Sequence, residues 1–433
     1  MLLLVTLAPA LALAVEKRPL PDYDGRDGRG QPTRPKDVAL WVPRVVLYPL
    51  YFTSEYLIRR PLGFLIGGAE RIGLPAAVYD FFAFGPNHTA GIVPLFFLDF
   101  GFNPSAGLYF WWDDAGFKGH DLRLRGATWG KDWVTGTATE RFRFASGAAL
   151  TLTGTATHRP DYVFYGTGSE SLERDRSRFG ADLVDVHAEW LAPLRATSSI
   201  ETSIGYRGAH FRDGDFDEDP TVRESVARGV FGLPDGYTKG FHAAFARARL
   251  KLDSRKAYKG SGARLELEAE QSLAADQASL GWLRYGASVG GLLDLGDSGR
   301  IVSFSVATQF ADRLGDQPVP FTELATLGGN DWMPGYRPGR LRGRSAAVAT
   351  LRYSWPIWIW LHGSIQGAVG NVYGEHLRDF DVEQLRFSGA VGIESHGSSD
   401  SVLQVLFGFG TRTFEQGGAP EALRIVFGAR SGF

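Results

Sequence analysis

Short segments in which apolar and polar residues alternate recur from about residue 90 to the C-terminus, and they constrain the fold more than any other feature. In the last segment Leu423, Ile425 and Phe427 alternate with Arg424 and Gly428. Successive side chains of a β-strand point to opposite faces, so each segment has one apolar face and one polar or small face. The alternation therefore predicts an all-β chain.

A soluble sandwich and a membrane barrel both alternate in this way, with the apolar face inward in the first and outward in the second. Glycine supplies 55 of the 433 residues, well above the usual ~7%, and small residues on the polar faces fit a crowded lumen. The chain also ends in an aromatic residue, Phe433, on the apolar parity of its last strand. Tryptophans cluster near segment ends, as in interfacial girdles: Trp111, Trp112, Trp129, Trp133, Trp355, Trp358 and Trp360. These features favour a transmembrane antiparallel β-barrel over residues 90–433.

Counting the alternating segments predicts about sixteen strands. The long connections, 159–177, 211–240 and 313–343, all follow odd-numbered strands, whereas the connections after even-numbered strands are short. This asymmetry is typical of an outer-membrane barrel with both ends in the periplasm. The strands are predicted near 91–99, 105–113, 119–130, 133–144, 148–158, 178–191, 198–210, 241–253, 262–270, 280–293, 299–312, 344–356, 362–371, 384–394, 401–412 and 421–432.

Three segments precede the barrel. Residues 1–14 are apolar and end in Ala12-Leu13-Ala14, a small-x-small pattern that predicts a secretory signal peptide. Residues 15–37 are rich in proline, glycine and charge and predict a flexible linker. Residues 38–75 predict an amphipathic helical segment broken by prolines. This segment is expected either to lie on the periplasmic membrane surface or to plug the barrel mouth, or else simply to cap the barrel hydrophobically.

The connection after the eleventh predicted strand carries a family resemblance. It contains Leu327-Gly328-Gly329, and the strand after it ends Tyr353-Ser354-Trp355-Pro356. Together with 161–168, this pattern resembles the BamA/TamA superfamily of outer-membrane barrels, also called the bacterial surface antigen family. The loop motif comprises Gly335, Tyr336, Arg337, Gly339, Arg340, Arg342 and Gly343.

The resemblance implies a loop that folds back into the barrel lumen. In the family an arginine of this loop meets an acidic residue of the thirteenth strand, and here the corresponding residues are Pro334 and Ala368. Both members of the pair are replaced, which avoids leaving one charge buried and unpaired. The family's periplasmic POTRA modules have no counterpart in the sequence pattern before residue 90, so we expect a short member that lacks them.

The arginines of the loop, with Arg344 after it, have two interpretations. They form a lumenal constriction held by acidic wall residues, for which Glu266, Glu268 and Glu394 are the predicted anchors. Alternatively, they form an exposed basic loop that faces the phosphates of lipopolysaccharide. The resemblance favours the lumenal position.

Catalytic, cofactor and metal sites are not predicted. The chain has no cysteine and no H-E-x-x-H pair, and the strand histidines His187 and His242 have no nucleophile motif beside them. The acidic stretch 213–224 resembles a calcium loop, but Glu218 replaces the glycine that such a loop requires at its sharp turn. The formal net charge of −2 provides no basic surface for nucleic acid.

The expected function follows from the resemblance. It implies a non-enzymatic barrel, without cofactors, in the outer membrane of a diderm bacterium. Such a barrel assembles or translocates protein or lipid, with membrane lipids, lipopolysaccharide and polypeptide or lipid clients as partners. The alternative is a non-catalytic scaffold or restricted pore that retains only the fold.

Overall fold

The computed structural model describes Phe52, Tyr56 and residues 60–195, 197–255, 260–277, 279–295, 299–330, 332–358, 361–395 and 401–431. The predicted signal peptide and linker, most of 38–59 and the C-terminal Phe433 lie outside the described residues.

Two helices precede the barrel. Helix α1 spans Arg60–Arg71 and helix α2 spans Leu74–Phe82. They are separated by Gly73, whose φ of 70° is a left-handed conformation that glycine adopts without strain. Helix α1 lies within the predicted helical segment, whereas α2 extends beyond its end at residue 75. Among the described residues, no helix is long and apolar enough to cross a membrane.

Sixteen antiparallel strands follow, each paired with its neighbours in sequence, and the last pairs with the first. In chain order they are β1 Ala90–Asp99, β2 Ser105–Trp112, β3 His120–Thr128, β4 Val134–Arg143, β5 Ala149–Phe164, β6 Ser177–Arg195, β7 Ser198–Asp213, β8 Phe241–Asp253, β9 Gly262–Ala274, β10 Gly281–Asp294, β11 Ile301–Arg313, β12 Ser345–Trp358, β13 Leu361–Tyr373, β14 Arg386–Ser395, β15 Ser401–Thr413 and β16 Pro420–Ser431. The predicted closed barrel of sixteen strands is confirmed.

The two faces of the barrel wall have opposite chemistry. Large apolar side chains on the outer face are exposed, including Ile204 at 68% and Leu423 at 67%. The inner face carries small, polar and charged residues such as Ser388 and Arg424, which are buried by lumenal contents. A wall with apolar residues on its outer face and polar residues on its inner face is typical of a membrane barrel, and a soluble sandwich has the reverse arrangement.

The long connections gather at one end of the barrel, here called the long-loop end, and the short turns lie at the other. Strands β5, β6 and β7 are the longest, with 16 to 19 residues. Their tips and two of the long connections share one aromatic cluster, which covers the lumen on that side. It includes Phe164, Phe179, Phe211, Tyr237, Trp282 and Phe321.

The helices lie at the short-turn end. In α1, a Cβ atom added to Gly63 would come within 3.2 Å of the Trp358 ring at the end of β12. The end of α2 packs inside the barrel, where Tyr79 and Phe82 contact a cluster that includes Trp111 of β2. The helical pair therefore lies across part of the mouth.

Candidate functional site: a lumenal loop beside the barrel seam

The connection between β11 and β12, residues 314–344, folds into the barrel. Within it, Ala325–Leu327 pairs with Leu341–Gly343 to form a short two-stranded ribbon. Its apolar side chains pack against the inner wall in one buried cluster, which contains Leu327, Met333, Tyr336, Leu341, Ala346, Val348, Ala368 and Val372. We call residues 314–344 the lumenal loop.

The tip of the lumenal loop lies flat against β14 and β15. The Gly335 amide donates to the Ser388 hydroxyl at 2.8 Å. A side chain at this glycine would place its Cβ 1.9 Å from the Phe409 carbonyl oxygen, so only glycine allows this close approach. The Tyr336 ring sits over Gly410, and its hydroxyl donates to the Thr411 carbonyl. Burial raises the pKa of Tyr336 to about 12.

Two motif arginines connect the lumenal loop to the 165–176 connection. Arg337 lies 2.9 Å from one oxygen of Glu173, and Arg340 lies 3.1 Å from the other. The Arg340 guanidinium also sits 4.4 Å above the centroid of the Tyr165 ring. The two sequence segments that carry the family resemblance thus meet in space, since Tyr165 belongs to the first and both arginines to the second.

Arg340 also holds the start of β16. Its guanidinium lies 3.0 Å from Glu421, which forms a second ion pair with Arg386 of β14. Arg340 and Arg386 are fully buried, and Glu421 is 4% exposed. A β-bulge between β15 and β16 at this point turns Glu421 inward, although its odd-numbered neighbours on β16 face outward.

Arg342 and Arg344 have other partners. Arg342 donates to the carbonyls of Phe321 and Gly339, both at 3.1 Å, and forms no carboxylate ion pair within the described residues. Burial lowers its pKa to about 10, against the opposing effect of nearby Glu323. Arg344, after the motif, contacts Glu375 at 3.2 Å.

Among the described residues, the predicted anchors Glu266, Glu268 and Glu394 form no ion pair with the lumenal loop, so that prediction is wrong. They pair with neighbouring wall arginines instead: Arg264, Arg249 and Arg352, respectively.

Another ion pair anchors the loop on this side, but here the acid belongs to the loop and the arginines belong to the wall. Glu323 of the lumenal loop lies 2.9 Å from Arg207 and 3.4 Å from Arg284. Strand parity placed the predicted acids in the lumen but could not show that nearby arginines of the wall already neutralise them. A cavity of about 210 Å³ separates Glu266 and Glu268 from Trp332 of the loop.

The junction of β16 and β1, here called the seam, has the fewest paired residues of any strand junction in the described part of the barrel. Val426, Phe427 and Gly428 pair with Asp99, Leu98 and Phe97 of β1, and the Phe100 amide donates to the Ile425 carbonyl at 3.0 Å. By contrast, the next pair around the barrel, β1 with β2, matches eight residues. Gly428 has a φ of 154°, and a Cβ there would lie 2.6 Å from the Phe96 carbonyl oxygen, so glycine is required where the described pairing ends.

A buried ion pair crosses the seam on its lumenal side. Arg424 of β16 lies 2.9 Å from Asp99 of β1, with side chains 2% and 7% exposed. The same guanidinium donates to the Pro334 carbonyl at 3.4 Å. The position expected to carry the family's loop arginine thus has its main-chain oxygen bound by an arginine from the seam. Ala368 lies in the apolar cluster with Met333 and Tyr336.

The remaining sequence candidates are dispersed. His187 bonds to Asp185 in the lumen, whereas His242 bonds to Tyr206 on the outer face, so the two histidines do not share one site. In the acidic stretch, Asp219 pairs with Arg176 and Arg178, and Glu224 caps a helical turn. No group of three or more potential metal ligands converges among the described residues.

Comparison with solved structures finds barrels of similar architecture. The BamA barrel from Haemophilus ducreyi, crystallised without POTRA domains 1–3, matches with a TM-score of 0.54 at 13% identity, over 79% of this chain and 70% of that chain. CdiB from Acinetobacter baumannii matches with a TM-score of 0.49 at 10% identity, over 79% of this chain and 60% of that chain. No protein-family model and no curated protein sequence matches the chain. The resemblance predicted from sequence is therefore confirmed for the fold, which is that of a BamA-like barrel.

Proposed function

We propose that this BamA-like barrel resides in the outer membrane of a diderm bacterium and assembles polypeptide clients into that membrane or translocates them across it. The observation that carries the proposal is the seam. In the described part of the chain, eight paired residues join β1 to β2, but three join β1 to β16. A junction with few main-chain hydrogen bonds opens at a lower free-energy cost than any other line along the wall.

The contents of the lumen support a route through the seam. Met333, Tyr336 and Arg340 are at most 1% exposed, so the lumenal loop fills the space around them. The aromatic cluster covers the long-loop end as well. A client segment that passed along the barrel axis would have to displace both layers, whereas a segment that enters at the seam displaces neither.

The edge of β1 at the seam suits an extended polypeptide. Residues 92–96 have no strand partner on that edge within the described part of the chain. Unpaired main-chain groups on a strand edge recruit other strands, and an extended client segment supplies the matching donors and acceptors.

A restricted pore or scaffold is the second candidate, and the packed lumen favours it. Arg340 and Arg386 are fully buried and share Glu421, an arrangement that fixes the loop rather than one that moves readily. In that case the seam is only a structural irregularity, and the barrel has no client.

Depletion of the protein in its native host separates the two candidates. Loss of assembly function lowers the abundance of other integral outer-membrane proteins, measured by quantitative proteomics of isolated outer membranes, with surface lipids profiled in parallel. Expression of the wild-type chain in the depleted strain is the control and should restore the profile. If neither the other outer-membrane proteins nor the surface lipids changed, the result would contradict the assembly function and favour the scaffold or restricted pore.

A further inference from the structure

The seam edge of β1 is already partly occupied by this chain's own residues. Ala83 and Phe84, directly after α2, pair with Gly91 and Ala90. Those two residues of β1 also pair with Trp111 and Trp112 of β2. A strand has only two edges, and β2 takes one of them, so Ala83–Phe84 lies on the edge that faces β16.

The two-residue strand is held from both sides of the wall. Ala83 is buried in the lumenal cluster with Val93 and Trp111, together with the preceding α2 residues. Phe84 faces outward, is 49% exposed and has its ring centroid 6.5 Å from that of Phe110. The segment therefore takes the place of a wall strand at the short-turn end of the seam.

Glycine residues permit this arrangement. A Cβ added to Gly91 would lie 2.7 Å from the Phe82 carbonyl oxygen and 2.1 Å from the Trp111 ring. Gly85, which begins the turn back toward β1, has a φ of 82° that an L side chain adopts only with strain. The turn and the close approach both depend on residues without side chains.

Between the two occupied ends, the edge has no strand partner among the described residues. Described β16 residues reach Phe97 from one end, and Ala83 reaches Gly91 from the other. Pro94 lies between them and has no main-chain N–H to donate. A proline on an exposed edge weakens accidental strand addition, so the edge is protected in its middle and covered at its start.

We propose that Ala83–Phe84 is a built-in occupant of the β1 edge, which has to leave before an extended client segment can pair along β1. The inference rests on the proposed function, because it assigns regulation to the same seam. Two paired residues hold the occupant, so a client that pairs along the whole edge gains more main-chain hydrogen bonds than the displacement breaks. Helix α2 tethers the occupant beside the edge, which allows it to return when the client departs.

A reversible disulfide tests the proposal in the full chain. The protein has no cysteine, so the double variant Phe84→Cys/Ala90→Cys forms one defined bond between directly paired residues. A photoreactive benzoylphenylalanine replaces Phe96 on the same edge. The protein is placed in phospholipid vesicles, and the probe is a urea-unfolded eight-stranded outer-membrane barrel protein. We expect capture of the probe by the reduced form and at least tenfold less by the oxidised form.

Two further variants control the experiment. A matched disulfide between β2 and β3, Ala106→Cys/Thr128→Cys, joins residues paired away from the seam and should leave capture unchanged. The substitution Phe84→Pro removes the N–H of the occupant residue that pairs with Ala90 and should raise capture severalfold, an increase that misfolding does not produce. Heat-modified gel mobility verifies that each barrel is folded.

The outcomes separate the inference from the proposed function. Equal capture by the oxidised and reduced forms overturns the inference but leaves the proposed function standing. Absence of capture by both forms, with folded barrels, contradicts the proposed function, and the inference falls with it.

Discussion

Arg424 of β16 binds Asp99 of β1 at 2.9 Å, and the same guanidinium donates to the carbonyl of Pro334 in the lumenal loop. One buried cation therefore contacts both strands of the seam and the loop beside it. Within the described residues, the three seam pairs, a hydrogen bond from the Phe100 amide to the Ile425 carbonyl and this ion pair close the barrel. We therefore expect opening of the seam to break a contact with the loop tip.

A double-mutant cycle can measure how much the Arg424–Asp99 ion pair contributes to the free energy of unfolding. Arg424→Met alone leaves a buried carboxylate and should cost about 3–5 kcal/mol of unfolding free energy. Adding Asp99→Leu should recover part of the loss, with a coupling of about 0.5–3 kcal/mol. Urea unfolding in detergent micelles, followed by tryptophan fluorescence, gives these values. The more exposed pair Arg223–Asp213 is the control and should couple by about 0–1 kcal/mol. Strict additivity at the seam would mean that the two side chains do not interact.

Removal of residues 330–342 should enlarge the conductance of the barrel in planar bilayers. These residues contribute Met333, Tyr336 and Arg340, which fill the lumen in the intact protein. Deletion of residues 116–118, in a turn at the short-turn end, is the control and should leave the conductance near that of the wild type. If the loop deletion leaves the conductance unaltered, the loop does not restrict the pore.

Arg340 and Arg342 should respond differently to the same substitution. Arg340→Met removes the shared partner of Glu173 and Glu421, so loss of a buried ion pair should destabilise the loop by about 3 kcal/mol or more. Arg342→Met removes a cation whose pKa is already lowered by burial, so it should change stability by less than about 1.5 kcal/mol. Protease cleavage of the loop in folded barrels reports both effects. Equal susceptibility of the two variants would refute the distinction.

Acid should loosen the 214–240 connection within a defined pH window. Burial raises the pKa of Asp219, but hydrogen bonds from Arg176 and Arg178 outweigh it and hold the pKa below its ordinary value of 3.8. The stabilisation is therefore complete well above pH 3.8 and is lost as the pH falls through the lowered folded-state pKa. Amide hydrogen exchange in this connection, measured from pH 6 downward, should accelerate relative to the intrinsic rate only below about pH 4. In Asp219→Asn the acid step should disappear. Persistence of the step in that variant would assign it to another group.

The sequence predicted the barrel better than the contacts inside it. Alternation depends on local pattern, so segments such as 241–253 match their strands at both ends. Helix α2 was missed beyond residue 75, because a short apolar stretch has no periodicity that distinguishes helix from strand. Glu421 was missed because a bulge reverses its parity, and a bulge is set by pairing with β15 rather than by its own sequence. Glu173 lies in a loop whose position depends on the whole fold.

A disulfide across the seam tests the central claim most directly. The variant Leu98→Cys/Phe427→Cys joins directly paired residues of β1 and β16 in a chain that has no other cysteine. The measurement is the rate at which an unfolded outer-membrane barrel protein folds into vesicles that contain the variant. We expect the reduced form to accelerate folding as the wild type does, and the oxidised form to act no faster than empty vesicles. If the oxidised barrel accelerates folding as much as the reduced barrel, the seam does not open in the activity and the account is wrong.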